Sequence, residues 1–192
     1  MARAFLVWSA IVALGGVPVA IAMTSPLLAW RDPVYILGGF AGVVALVLIL
    51  FQPLLADGAL PGLSVRRGRI VHRWLGTLLV LAVLLHVGGL WLTSPPDVID
   101  ALLFRAPTAF SVWGVIAMWA LFAAALSAML RRRLRPWRWR NAHVVLVSIC
   151  VAGCVGHALL IEGTMGTVSK GVLCAATLAA TAKTIFNLRQ GP

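Results

Sequence analysis

Six apolar runs separated by short clusters of Pro, Gly and charged residues set the pattern of this chain. They cover about residues 4–23, 34–54, 70–92, 109–130, 142–161 and 167–187. Each is long enough, as a helix rising about 1.5 Å per residue, to cross a hydrocarbon layer of about 30 Å. The pattern predicts an all-α integral membrane protein, a bundle of six transmembrane helices. Between the third and fourth runs, Ser94-Pro95-Pro96-Asp97 carries helix-start signals and predicts a short extra helix reaching to about Arg105. The first run, with Arg3 before it and Ala20-Ile21-Ala22 near its end, shares features of a cleaved secretory signal. It is long for a signal and continues past Pro18, so it is read as the first span.

Composition agrees: 61% of the 192 residues are hydrophobic and 11% are charged. The net charge of +11 would by itself point to nucleic acid, but its distribution points to topology instead. With the N-terminus placed in the cytoplasm, one side receives Arg3, Arg66, Arg67, Arg69, Arg73, the cluster from Arg131 to Arg140, Lys183 and Arg189. The other receives Arg31, Arg105 and Lys170. The positive-inside rule therefore predicts both termini in the cytoplasm, and no nucleic-acid partner is expected. Cys150, Cys154 and Cys174 all fall in apolar runs, with neither zinc-ligand spacing nor a disulfide framework. They read as small packing residues.

The four histidines change the picture from packing to chemistry. His72 and His86 lie on the third run and His143 and His157 on the fifth, fourteen residues apart in each case. Fourteen helical residues make nearly four whole turns and rise about 21 Å, so each pair lies on one helix face near opposite membrane boundaries. The third and fifth runs cross in the same direction, which sets His72 level with His143 and His86 level with His157. Two imidazoles per level are too few for a structural zinc site. They suit a haem, which brings four nitrogens of its own and needs axial ligands. Ligation by two histidines leaves no open position on iron and favours electron transfer. Arg69 and Arg140 each precede a histidine by three residues and are candidate partners for haem carboxylates. Gly76, one turn after His72, is expected to relieve crowding near that cofactor.

These features together resemble the ferric reductase-like transmembrane domain. The resemblance rests on six spans, the paired histidines, His72-Arg73-Trp74-Leu75-Gly76, and the second His–His stretch running on to Glu162-Gly163-Thr164-Met165. That superfamily includes ferric reductases, the membrane part of the NADPH oxidases and the haem-binding subunit of a bacterial methionine sulfoxide reductase. The resemblance covers nearly the whole chain, read as a single domain over residues 1–192. It implies two b-type haems and electron flow from the cytoplasm to an acceptor on the outer side, in a bacterial inner membrane. Few residues follow the sixth run, and no Gly-rich dinucleotide fingerprint occurs. No flavin bound by this chain is expected; the donor is then a separate cytoplasmic flavoprotein or ferredoxin, steered by the basic face, or a quinol. Such a protein is an oxidoreductase or the haem-binding membrane subunit of one. Two other readings fit the residues: a cytochrome b subunit exchanging electrons with quinone or a periplasmic reductase, and a haem-free transporter or assembly factor that uses the histidines as interhelical hydrogen-bonding groups.

Overall fold

The computed structural model describes residues 1–190, so Gly191 and Pro192 of the short tail lie outside it. The described residues form seven α-helices: α1 (Ala2–Met23), α2 (Pro33–Ala56), α3 (Val65–Thr93), α4 (Pro95–Leu102), α5 (Ala109–Met129), α6 (Pro136–Leu160) and α7 (Thr167–Gln190). All but α4 are long and apolar enough to cross a membrane. The chain is a multi-pass integral membrane protein.

Local chemistry explains where the helices start. Asp32 caps α2 by accepting from the Val34 and Tyr35 N–H groups at 2.7 and 3.4 Å, and Pro33 opens the first turn. Ser64 caps α3 by accepting from Arg67 N at 3.4 Å, and Pro136 opens α6. Both histidine-bearing helices therefore begin five or six residues before their apolar runs. Arg is a good helix former, so the basic lead-ins join the helices although hydropathy stops at them. The short helix α4 forms as expected but ends at Leu102; Arg105 N instead donates to Asp100 O at 2.7 Å, closing a turn.

Two tight hairpins carry the site. In the first, α2 lies along α3; in the second, α5 lies along α6. Both rely on backbone-to-backbone approach. A Cβ on Gly89 would come within 2.9 Å of Gly38 Cα, and one on Gly153 within 2.9 Å of Trp113 O. In a membrane such close approach, with its dispersion contacts, substitutes for a hydrophobic driving force. Helix α7 packs against α1, α2 and α6, filling the side of the bundle with Leu173 and Cys174, both almost completely buried. Leu173→Ala is expected to lower the stability of the folded bundle by about 2–5 kcal/mol through the cavity it leaves, measured as a downward shift in a detergent unfolding titration.

Side-chain ties identify the two ends. Trp8 Nε1 donates to Pro61 O at 3.2 Å, and Asn187 Nδ2 donates to the Asp57 carboxylate at 2.9 and 3.0 Å. The first and last helices thus meet the α2–α3 loop at one end, which also carries the arginines of the α5–α6 connection. This is the basic end. At the far end Lys170, near the start of the sixth run, is buried, and its Nζ donates to Ile161 O at 2.6 Å, capping the carboxyl end of α6.

Candidate cofactor site

The histidine-bearing helices α3 and α6 each pack along a partner, α2 or α5, and hardly approach one another as backbones. Their side chains meet instead. At the far end the His86 and His157 ring centres are 6.3 Å apart, with the planes inclined by 76°. At the basic end stand His72 and His143, fourteen residues earlier on the same two helices. Midway between the two levels, Leu79 and Cys150 are buried in the core, each seven residues from both histidines of its helix. A packed apolar layer separates the levels.

Each imidazole is held through Nδ1. His86 donates to Gly38 O at 2.8 Å and His157 to Phe110 O at 2.9 Å. His72 donates to Gln52 O at 3.1 Å. A main-chain carbonyl can only accept, so in the His86 and His157 rings Nδ1 carries the proton and Nε2 keeps its lone pair. That is the tautomer a metal ion needs, held by the outer-shell hydrogen bond that orients such ligands. The Gln52 side chain also lies against His72: one end of its amide is 2.9 Å from Nδ1 and 3.2 Å from His72 O, and the other end is 3.2 Å from Gly76 N. The main-chain contact calls for the proton on Nδ1, whereas the amide turned with its nitrogen toward His72 would itself donate there. His143 differs. Its Nδ1 lies 3.4 Å from Ser127 Oγ, and Ser127 itself donates to Ala124 O at 2.8 Å.

Two glycines that sequence reading passed over make room for the far rings. A Cβ on Gly42 would lie 2.8 Å from His86 Nδ1, and one on Gly114 would lie 2.7 Å from His157 Nδ1. Each glycine stands one turn after the carbonyl that its histidine uses. A repeat lies behind this. Gly38 and Phe110, Gly42 and Gly114, and Gln52 and Ala124 are all separated by 72 residues, and the histidines by 71. Along α2 the two acceptors, Gly38 and Gln52, are fourteen residues apart, the same interval as the histidines of α3. The sequence does hold a trace of it: Gly42-Val43-Val44-Ala45 returns as Gly114-Val115-Ile116-Ala117.

The other sequence-predicted residues fall as follows. Arg69 and Arg140 are exposed at the basic end, one turn before His72 and His143. Gly76 faces α2, where a Cβ would sit 3.7 Å from Gln52 Oε1, an ordinary contact. Cys150 is buried and Cys154 partly so, both within the core. Trp139 stacks on His143 with ring centres 5.6 Å apart, and its Nε1 is buried without an acceptor. Among the described residues no group of three or more His, Cys, Asp or Glu side chains gathers to hold a metal ion. Each level offers two protein donors.

A family model described as ferric reductase like transmembrane component matches residues 37–154. The match begins in α2 and ends in α6, taking in His72, His86 and His143 and stopping three residues before His157. No curated protein and no solved structure gives a match.

Proposed function

The chain belongs to the ferric reductase-like transmembrane component family, and on that premise we propose that it is a two-haem electron conduit across a membrane. His72 and His143 would hold one b-type haem and His86 and His157 the other. The observation that carries this reading is the far pair. Two imidazoles sharing one metal ion, with metal–nitrogen bonds of about 2.0–2.1 Å, have ring centres about 6 Å apart; the spacing here is 6.3 Å. Both Nδ1 atoms are engaged elsewhere, which leaves the two Nε2 atoms for the ion. With two protein donors per level, the remaining coordination has to come from the cofactor, as a porphyrin supplies it.

The haem supplies one-electron chemistry at iron, and the protein supplies position and electrostatic surroundings. His86 and His157 are fixed by main-chain carbonyls and by glycines beneath their rings. Leu79 and Cys150 exclude water between the levels. Arg69 and Arg140 stand where they can pair with haem carboxylates, Gly76 leaves the α2 side of the His72 level uncrowded, and an acceptor arriving beside His143 would satisfy the Trp139 N–H.

By the positive-inside rule the basic end faces the cytoplasm of a bacterial inner membrane. Electrons then enter at the His72–His143 level, from a separate flavoprotein, ferredoxin or quinol, and leave at the His86–His157 level to an acceptor outside. The test is the spectrum of the purified protein. A Soret band and a pyridine haemochrome ratio of two b-type haems per chain are expected; full-length protein expressed with ample haem and purified without a Soret band defeats the proposal.

A further inference from the structure

By the 72-residue repeat, Ala124 O on α5 corresponds to Gln52 O on α2. Gln52 O takes the Nδ1 proton of His72, just as Gly38 O and Phe110 O take those of His86 and His157. By the repeat, His143 should therefore bond to Ala124 O. It is already occupied. The Ser127 hydroxyl donates to Ala124 O at 2.8 Å and presents its oxygen to His143 Nδ1 at 3.4 Å. That contact is longer than the three main-chain ones.

We propose that Ser127 is a positioning residue that tunes the cofactor held by His143: it takes the carbonyl that belongs to this histidine and leaves the imidazole with a weaker hydrogen bond. The chemistry follows from how an axial imidazole responds. A strong Nδ1–H···O=C bond pushes electron density toward Nε2, makes the ring a better donor and favours ferric iron. A long bond to a hydroxyl does this less and favours ferrous iron. The inference rests on the two-haem reading and concerns one ligand within it.

The prediction runs against the usual effect of deleting a hydrogen-bonding side chain. Ser127→Ala frees Ala124 O, and His143 then bonds to it directly, as the other three histidines bond to their carbonyls. The reduction equilibrium of the haem at the His72–His143 level is expected to shift about tenfold toward the ferric state, a midpoint lower by about 59 mV for one electron. The other haem stays where it was. Ser127→Thr keeps the hydroxyl and is expected to keep the wild-type midpoint. The measurement is an equilibrium redox titration of the purified protein by visible absorbance, with low-spin electron paramagnetic resonance of the ferric form as a second readout of ligand donor strength. A midpoint that is unchanged or raised in Ser127→Ala overturns the assignment, as does a shift of equal size in Ser127→Thr. Wild-type protein without haem would instead bring down the two-haem reading, so the two failures are separable.

Discussion

His157→Ala is expected to cut bound haem from two per chain to one, and His86→Ala to do the same. The reason lies in the poverty of the site. Each level has two protein donors, and no third His, Cys or carboxylate stands near enough to substitute among the described residues. With one imidazole gone, that level would keep a single protein donor for the cofactor. The remaining ligand also loses the partner that fixes its ring from across the gap. The surviving cofactor should be unaffected, since Leu79 and Cys150 pack the space between the levels and neither touches the substituted position's role. Visible spectra and haem content of the two variants, compared with His72→Ala and His143→Ala, give the check. Matching losses within each pair, with the second haem spectrally intact, are the expected pattern. His157 is the most informative of the four, because the family match stops before it and its assignment rests on the 6.3 Å ring spacing and the bond to Phe110 O. Two full haems in His157→Ala would remove that assignment.

The parts of this site that rest on side-chain identity were legible in the sequence. Four histidines at one interval, on two runs that cross the same way, specify two levels without any coordinates. The six spans were legible too, because a hydrocarbon layer demands length and hydropathy and little else. Their ends were less so. The lead-ins from Arg66 to Arg69 and from Arg138 to Arg140 read as loops by charge, yet Ser64 and Pro136 start the helices before them. What orients the imidazoles was not legible. The acceptors are main-chain carbonyls of Gly38, Gln52 and Phe110, and every residue has a carbonyl; nothing in a side chain marks which one is used. Gly42 and Gly114 looked like any small residues of a membrane helix until the rings lying against them were seen. Gly76 lies against Gln52, the residue whose carbonyl faces His72, a neighbour that the residue pattern does not name. The Trp139 stacking on His143 was hidden for a similar reason: an aromatic near a membrane boundary has a sufficient explanation there, and the four-residue step to His143 adds no unusual signal.

Gly114→Ala tests the site without touching a ligand. The new methyl would lie 2.7 Å from His157 Nδ1, 3.1 Å from Cε1 and 3.3 Å from Cγ, so it collides with the ring itself and not with the end of a flexible chain. The ring cannot simply move aside. Its Nδ1 is bonded to Phe110 O at 2.9 Å, and any rotation that clears the methyl breaks that bond or turns Nε2 away from His86. Overpacking of this kind costs about 1–3 kcal/mol, which as a binding penalty is about fivefold to 150-fold. The expected result is selective weakening of the haem at the His86–His157 level, read as faster haem transfer to apomyoglobin from one of two spectral components, with all four histidines in place. Gly42→Ala, whose methyl would lie 2.8 Å from His86 Nδ1, should weaken the same component. Gly39→Ala is the control: it sits on the same helix with nothing within 4 Å of its added methyl, and alanine favours the helix. If Gly114→Ala and Gly39→Ala release haem at the same rate as the wild type, the far imidazoles do not lie over these glycines when the cofactor is bound, and the 72-residue repeat of acceptor and glycine has lost its function.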